Sequence, residues 1–282
     1  MTYLLYALIG IVPSVIWLFF YLRKDKHPES NSMVVKIFMW GMIIGPIAII
    51  LELLARWFLK PMGLEHFFQS LSIGQSAPYF FASIVFAAPI IEEGLKYGVV
   101  KFRVLKHPEF DEPLDAMLYM IIAALGFAAI ENLLLVFQRP FMPLEKVVAL
   151  STLRFVSAIF LHALSSGLLG YWLAKSIREP AKKFRFLATG FVIAISCHSI
   201  YNFLVWLGGD SPLSLKSLIP NLLIFLLISV MALFVSYNFS ILKRLHSVCK
   251  ICLPVRSHTK EGLSVRSKKK EGLSARIPAR SA

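Results

Sequence analysis

Two adjacent glutamates, Glu92 and Glu93, stand inside an apolar run that reads Ala88-Pro-Ile-Ile-Glu-Glu-Gly-Leu-Lys-Tyr97. On insertion scales a charged side chain in such a run costs on the order of 2.5–3.5 kcal/mol, so each calls for a partner or a purpose. Lys96 lies four residues after Glu92 on the same helix face and can pair with it. Glu93 is turned about 100° away, which leaves it the less neutralised of the two. Two carboxylates this close in a low dielectric do not both ionise easily. One of them is therefore suited to hold and release a proton, as a general base must. Pro89, just upstream, loosens the helix before the pair.

Three further apolar runs carry polar groups. One contains Gly126-Phe-Ala-Ala-Ile-Glu131-Asn132. The next contains Arg154 and then His162, in Leu161-His-Ala-Leu-Ser-Ser-Gly167-Leu-Leu-Gly170. The last contains His198-Ser-Ile-Tyr-Asn202, with His198 and Asn202 four apart on one face. At about 1.5 Å of rise per residue, Glu92, His162 and His198 fall near the middle of their runs. Glu131 falls nearer one end, within reach of Arg154. Gly94, Gly98, Gly126, Gly167 and Gly170 accompany the polar groups and would permit close helix approach.

Carboxylates and imidazoles converging in a wet cavity suit the activation of water. In one mechanism Glu92 or Glu93 deprotonates a water that His162 orients, while His198 and Asn202 donate to the developing oxyanion. In another, Glu93, His162 and His198 hold a zinc ion and a second glutamate is the base. The helical zinc motif H-E-x-x-H is missing, and a metal-free glutamate mechanism is preferred. A third reading, of a different class, is a transporter or sensor in which the same groups relay protons or ions.

Each residue also has a plain structural reading. A lone intramembrane histidine usually bonds a neighbouring helix. Glu52 and Arg56 are spaced as a structural ion pair, Asp115 as a helix cap, and Arg154 as a partner for Glu131. The set taken together resists that reading, because structural pairing does not require two adjacent glutamates plus two histidines.

The elements that must hold these residues are membrane helices. Of 282 residues 57% are hydrophobic and the mean hydropathy is +0.69, well above a soluble domain. The expected fold is all-α, a polytopic bundle of about seven spans near 3–22, 34–59, 78–100, 114–137, 147–174, 184–207 and 218–241. The first lacks a basic leader and a small-residue cleavage site, so it reads as an uncleaved anchor.

Basic residues set the orientation. Clusters at Arg23/Lys24/Lys26, Lys101/Arg103/Lys106 and Lys175/Arg178/Lys182/Lys183/Arg185, with the basic tail, follow the odd-numbered spans, and few basic residues follow the even ones. The N-terminus is therefore placed outside and the C-terminus in the cytoplasm, in the cell membrane. The net charge of +14 is mostly topological. It points to anionic lipid at cytoplasmic loops and tail, not to nucleic acid.

Residues 1–242 form one helical domain, with the motifs in 85–205. Residues 243–282 read as a disordered, lipid-facing tail with a short tandem, Lys260-Glu-Gly-Leu-Ser-Val-Arg266 and Lys270-Glu-Gly-Leu-Ser-Ala-Arg276. Cys197, Cys249 and Cys252 read as ordinary reduced thiols.

Taken in order, Glu92-Glu93-x-x-Lys96, Gly126-Phe-x-x-x-Glu131-Asn132, His162 with Gly167 and Gly170, and His198-x-x-x-Asn202 resemble the PrsW family of bacterial intramembrane proteases. That family is distantly related to the CAAX-prenyl protease and bacteriocin-processing group, which shares the E-E, H and H-x-x-x-N elements. The resemblance covers about residues 85–205 and shows no departure in these motifs. It implies peptide-bond cleavage in membrane-anchored substrates, with anti-sigma-factor-like regulators as the best-known kind. It implies Glu92, Glu93, His162 and His198 as the catalytic set. Asn202 would be a supporting donor, and Lys96, Glu131 and Asn132 supporting motif residues.

Overall fold

A helix from Pro113 to Phe137 is apolar on every side, and the rest of the chain is arranged around it. A helix of that kind can only be stable when surrounded. The computed structural model describes residues 2–25, 28–59, 82–138, 142–209 and 215–244. Within these, α1 (Thr2–Leu22) and α2 (Asn31–Leu59) come first. A π-helical segment, Ser83–Ala87, leads into α3 (Ala88–Arg103). The enclosed helix is α4 (Pro113–Phe137), followed by α5 (Leu144–Val156), α6 (Ala158–Arg178), α7 (Lys183–Gly208) and α8 (Leu215–Leu242). No strand occurs among the described residues.

Helix α4 starts where Glu112 and Asp115 cap each other's backbone N–H groups, Asp115 Oδ2 accepting from Asp111 and Glu112. Helices α1, α2 and α6 cover it. Two glycines set the closest approach. A Cβ on Gly126 would run into the Phe38 carbonyl of α2, and one on Gly41 into the Ala123 carbonyl of α4. Against α6, a Cβ on Gly170 would lie 2.6 Å from Met117 Cα. Helices α6, α7 and α8 then stack on the far side.

Lipid offers no hydrogen bonds, so irregular backbone must find partners inside the protein. Pro13, within α1, has no N–H for the Ile9 carbonyl four residues back. Ser151 Oγ donates to that carbonyl at 2.8 Å, and Asn132 Nδ2 donates to the adjacent Gly10 carbonyl at 2.9 Å. Helices α5 and α6 part at Ser157 (φ −121°, ψ −84°), where Trp17 Nε1 donates to the Phe155 carbonyl at 2.9 Å. The Trp17 ring also stacks on Phe160, 4.0 Å between centroids.

The all-α, polytopic expectation holds. Among the described residues six stretches are long and apolar enough to cross a membrane: α1, α2, α4, the joined α5–α6, α7 and α8. The segment 83–103 occupies the expected place of the third span, and its glutamates and lysine set it apart from the other six. Two details differ from expectation. The fifth span is two helices joined at Ser157. Gly94 and Gly98 mediate no close approach among the described residues, where no atom lies within 4 Å of a Cβ at either. The tail beyond Arg244, with its tandem, Cys249 and Cys252, lies outside the described residues.

Candidate active site

Helix α3 turns Glu92, Glu93 and Lys96 inward, toward α4, α6 and α7. Glu93 and Lys96 are fully buried and Glu92 is 6% exposed. Burial of this kind is tolerable only when charges are paired and hydrogen-bonded, and the pairing is extensive.

Glu93 is saturated. Its Oε1 accepts from Lys96 Nζ at 2.9 Å, from Ser165 Oγ at 2.9 Å and from His198 Nδ1 at 3.1 Å. Its Oε2 accepts from Ser166 Oγ at 2.9 Å. Spacing had left Glu93 without a local partner. The correction is geometric: residues three apart also share a helix face, and Lys96 reaches Glu93 more closely than Glu92, which it contacts at 3.4 Å.

Lys96 extends the chain of contacts to α6. Its Nζ lies 3.0 Å from His162 Nδ1 and 4.5 Å from the centre of the Phe127 ring. An ammonium has no acceptor, so Nδ1 must present its lone pair. The proton then sits on Nε2 of His162, which donates to Glu131 Oε2 at 3.0 Å. Glu131 in turn accepts from Arg154 Nη2 at 3.0 Å. Arg154 Nε donates to Asn132 Oδ1 at 2.9 Å, and Asn132 reaches the α1 backbone as described. A continuous polar chain therefore runs from α3 through α6, α4 and α5 to α1.

Glu92 has few of these ties. Its Oε2 lies 3.6 Å from His162 Nδ1 and 3.9 Å from His198 Nε2, beyond hydrogen-bonding distance of both. Because His198 Nδ1 donates to Glu93, its Nε2 carries a lone pair. The two imidazole rings stand edge to face, 5.0 Å apart. Glu92 thus faces an open lone pair on His198 Nε2 and, on His162 Nδ1, one that already accepts from Lys96 Nζ.

This donor set fits a divalent metal ion. Glu92, His162 and His198 each have an atom within 4.8 Å of the others, and a metal on His162 Nδ1 would take the place of Lys96 Nζ there. Each histidine is held on its other nitrogen by a carboxylate, Glu131 or Glu93, the outer-shell pattern of metal-binding imidazoles. Three carboxylates, Glu92, Glu93 and Glu131, face two fixed cations, Lys96 and Arg154. That leaves one formal negative charge for a further cation to offset. The carboxylate in the set is Glu92, not the Glu93 expected from sequence, because Glu93 is consumed by its four donors.

The structure brings Glu92, Glu93, Lys96, Glu131, His162 and His198 into one cluster. Asn132 stands at its edge, bonded to Arg154. Asn202 donates to the Ile84 carbonyl at 3.0 Å, on the π segment. Sequence reasoning passed over Ser165, Ser166 and Phe127. The serines follow His162 by three and four residues, so the helical period placed them on its face. Phe127 stood in the Gly126-Phe motif, four residues before Glu131, but had no role assigned to it.

Comparison with known proteins gives a consistent picture. The family described as PrsW family intramembrane metalloprotease matches residues 29–236. A protein named Protease PrsW from Geobacillus kaustophilus is 29% identical over 198 residues, 70% of this chain and 77% of that protein. Its namesake in Oceanobacillus iheyensis is 28% identical over 198 residues, covering 70% and 80%. That of Bacillus subtilis is 27% identical over 200 residues, again covering 70% and 80%. No solved structure matches the chain.

Proposed function

We propose, from the premise that this chain belongs to the PrsW family, that it is an endopeptidase of the cell membrane which cleaves membrane-anchored protein substrates, with anti-sigma-factor-like regulators among them. Membership makes the chain a multi-pass membrane peptidase. The observation that carries the finer reading is the contrast between Glu93, closed off by four donors, and Glu92, open toward the His198 Nε2 lone pair.

Glu92 takes a proton from a water as the water oxygen bonds to the scissile carbonyl carbon. The same proton passes to the amide nitrogen as the C–N bond breaks, leaving a carboxyl and an amine terminus. His198 Nε2 accepts the water's other O–H and so orients it, while His162 Nδ1 keeps Lys96 in place beside Glu92. Lys96, 3.4 Å from Glu92 Oε2, is the nearest fixed positive charge and offsets the charge growing on the carbonyl oxygen. Glu93 and Glu131 hold the lysine and the two imidazoles in place. Glu92, His162 and His198 are the side chains that would hold a zinc ion; Glu92 would then be a ligand rather than the base, and the ion would supply Lewis acidity and an acidified water at the same spot. The family's description as metalloproteases and the carboxylate-backed imidazoles favour that ion over the metal-free route expected from sequence.

The basic loops and tail face anionic lipid of the cytoplasmic leaflet. A transporter reading finds no support among the relatives, which are named as proteases.

Purified protein reconstituted with a single-pass substrate provides the test. Glu92→Gln and His198→Ala are each expected to lower kcat by about a hundredfold or more. Cleavage at the wild-type rate by Glu92→Gln would sink the assignment. Elemental analysis of the same samples decides the metal: one zinc per chain in wild type and a loss in His198→Ala support it, and an active wild type free of metal overturns it.

A further inference from the structure

The π segment ahead of α3 ends with an unmet backbone group. Ala88 N–H bonds to the Ser83 carbonyl, five residues back. In that register the next bond would run from residue 89 to the Ile84 carbonyl. Residue 89 is proline and has no N–H. The segment lies in a membrane helix, where water is not at hand to replace the missing donor. Asn202 Nδ2 fills the vacancy from α7, 3.0 Å from the Ile84 carbonyl oxygen.

Helix α7 therefore grips the glutamate helix at two points. Asn202 holds the backbone of its π-helical lead-in at Ile84, five residues before Pro89, and His198, one turn away on the same face, holds Glu93, four residues after it. Two contacts four residues apart on one helix fix both the depth and the rotation of the other. We infer that Asn202 is a positioning residue: it stands in for the N–H that Pro89 lacks and thereby sets Glu92 against His162 and His198. This rests on Glu92 being the reacting carboxylate, and it differs from a direct role for Asn202 at the oxyanion.

The two roles separate in a double-mutant cycle, because replacing the proline restores the donor that Asn202 supplies. Asn202→Ala and the volume-conserving Asn202→Leu are measured in the wild-type, Pro89→Ala and Pro89→Ser backgrounds, two proline-free backgrounds guarding against one failing to fold. The readings are kcat and KM on a single-pass substrate and Tm in detergent. In the wild-type background, losing the asparagine is expected to lower kcat about tenfold, leave KM within about twofold and lower Tm. In a proline-free background the same loss should change kcat by less than about threefold and leave Tm in place. An equal loss of kcat and an equal drop in Tm with and without the proline would overturn the inference. The Tm cycle is read without any substrate, so it tests the asparagine even if the proposed proteolysis fails.

Discussion

At the scale of single residues, the two adjacent glutamates have opposite surroundings. Glu93 is the keystone of a buried network, and Glu92 is its open end. Removing a group from a buried, paired network leaves its partners unmatched, which costs about 3–5 kcal/mol. Glu93→Ala would strand Lys96, His198, Ser165 and Ser166 at once. It is expected to lower Tm strongly, whereas Glu92→Ala should abolish cleavage with a small change in Tm. Thermal unfolding in detergent alongside a cleavage assay checks the contrast, and equal Tm losses would contradict it. The convergence of these groups was legible in the sequence, because titratable groups inside apolar runs announce themselves. Which glutamate was free was not legible. Spacing cannot say whether a flexible lysine turns to the residue three or four before it, and that choice was made by Ser165, Ser166 and His198 from other helices.

At the scale of elements, the spans were readable from hydropathy and the joints were not. The break at Ser157 falls within an apolar stretch with no proline or glycine to signal it. The π segment, by contrast, had a visible cause in Pro89. Glycines were only partly informative, since a small residue shows that helices could approach and not that they do. Gly126 is pressed against the Phe38 carbonyl, whereas Gly94 and Gly98 have no described neighbour. Gly126→Ala should therefore destabilise the protein by about 1–3 kcal/mol through forced separation of α2 and α4. Gly94→Ala and Gly98→Ala should stay within about 0.5 kcal/mol of wild type. Unfolding midpoints of the three variants test the difference.

At the scale of the molecule, α4 is the spine and the reactive cluster lies between it and α3, α6 and α7. Helix α1 lies before the matched region, residues 29–236. It is nevertheless tied to the cluster through Asn132, Ser151 and Trp17. The basic loops predict which way this assembly faces. In a background with Cys197, Cys249 and Cys252 replaced by serine, Glu179→Cys should be shielded from a membrane-impermeant maleimide in intact cells. Glu145→Cys, on the opposite side, should be labelled. The reverse pattern would invert the proposed topology. The charge distribution carries that side assignment in the sequence, and the labelling decides it; the packing order of helices was not legible, because hydropathy says that a helix is buried in lipid and not beside which neighbour.

The compensation between a proline on one helix and an asparagine on another also has an evolutionary reading. The two positions answer a single backbone requirement, so neither is free to drift alone. A lineage that lost the proline would no longer need the amide, and one that lost the amide first would be under pressure to lose the proline. Position 89 and position 202 are thus expected to change together among relatives, although 113 residues of chain separate them.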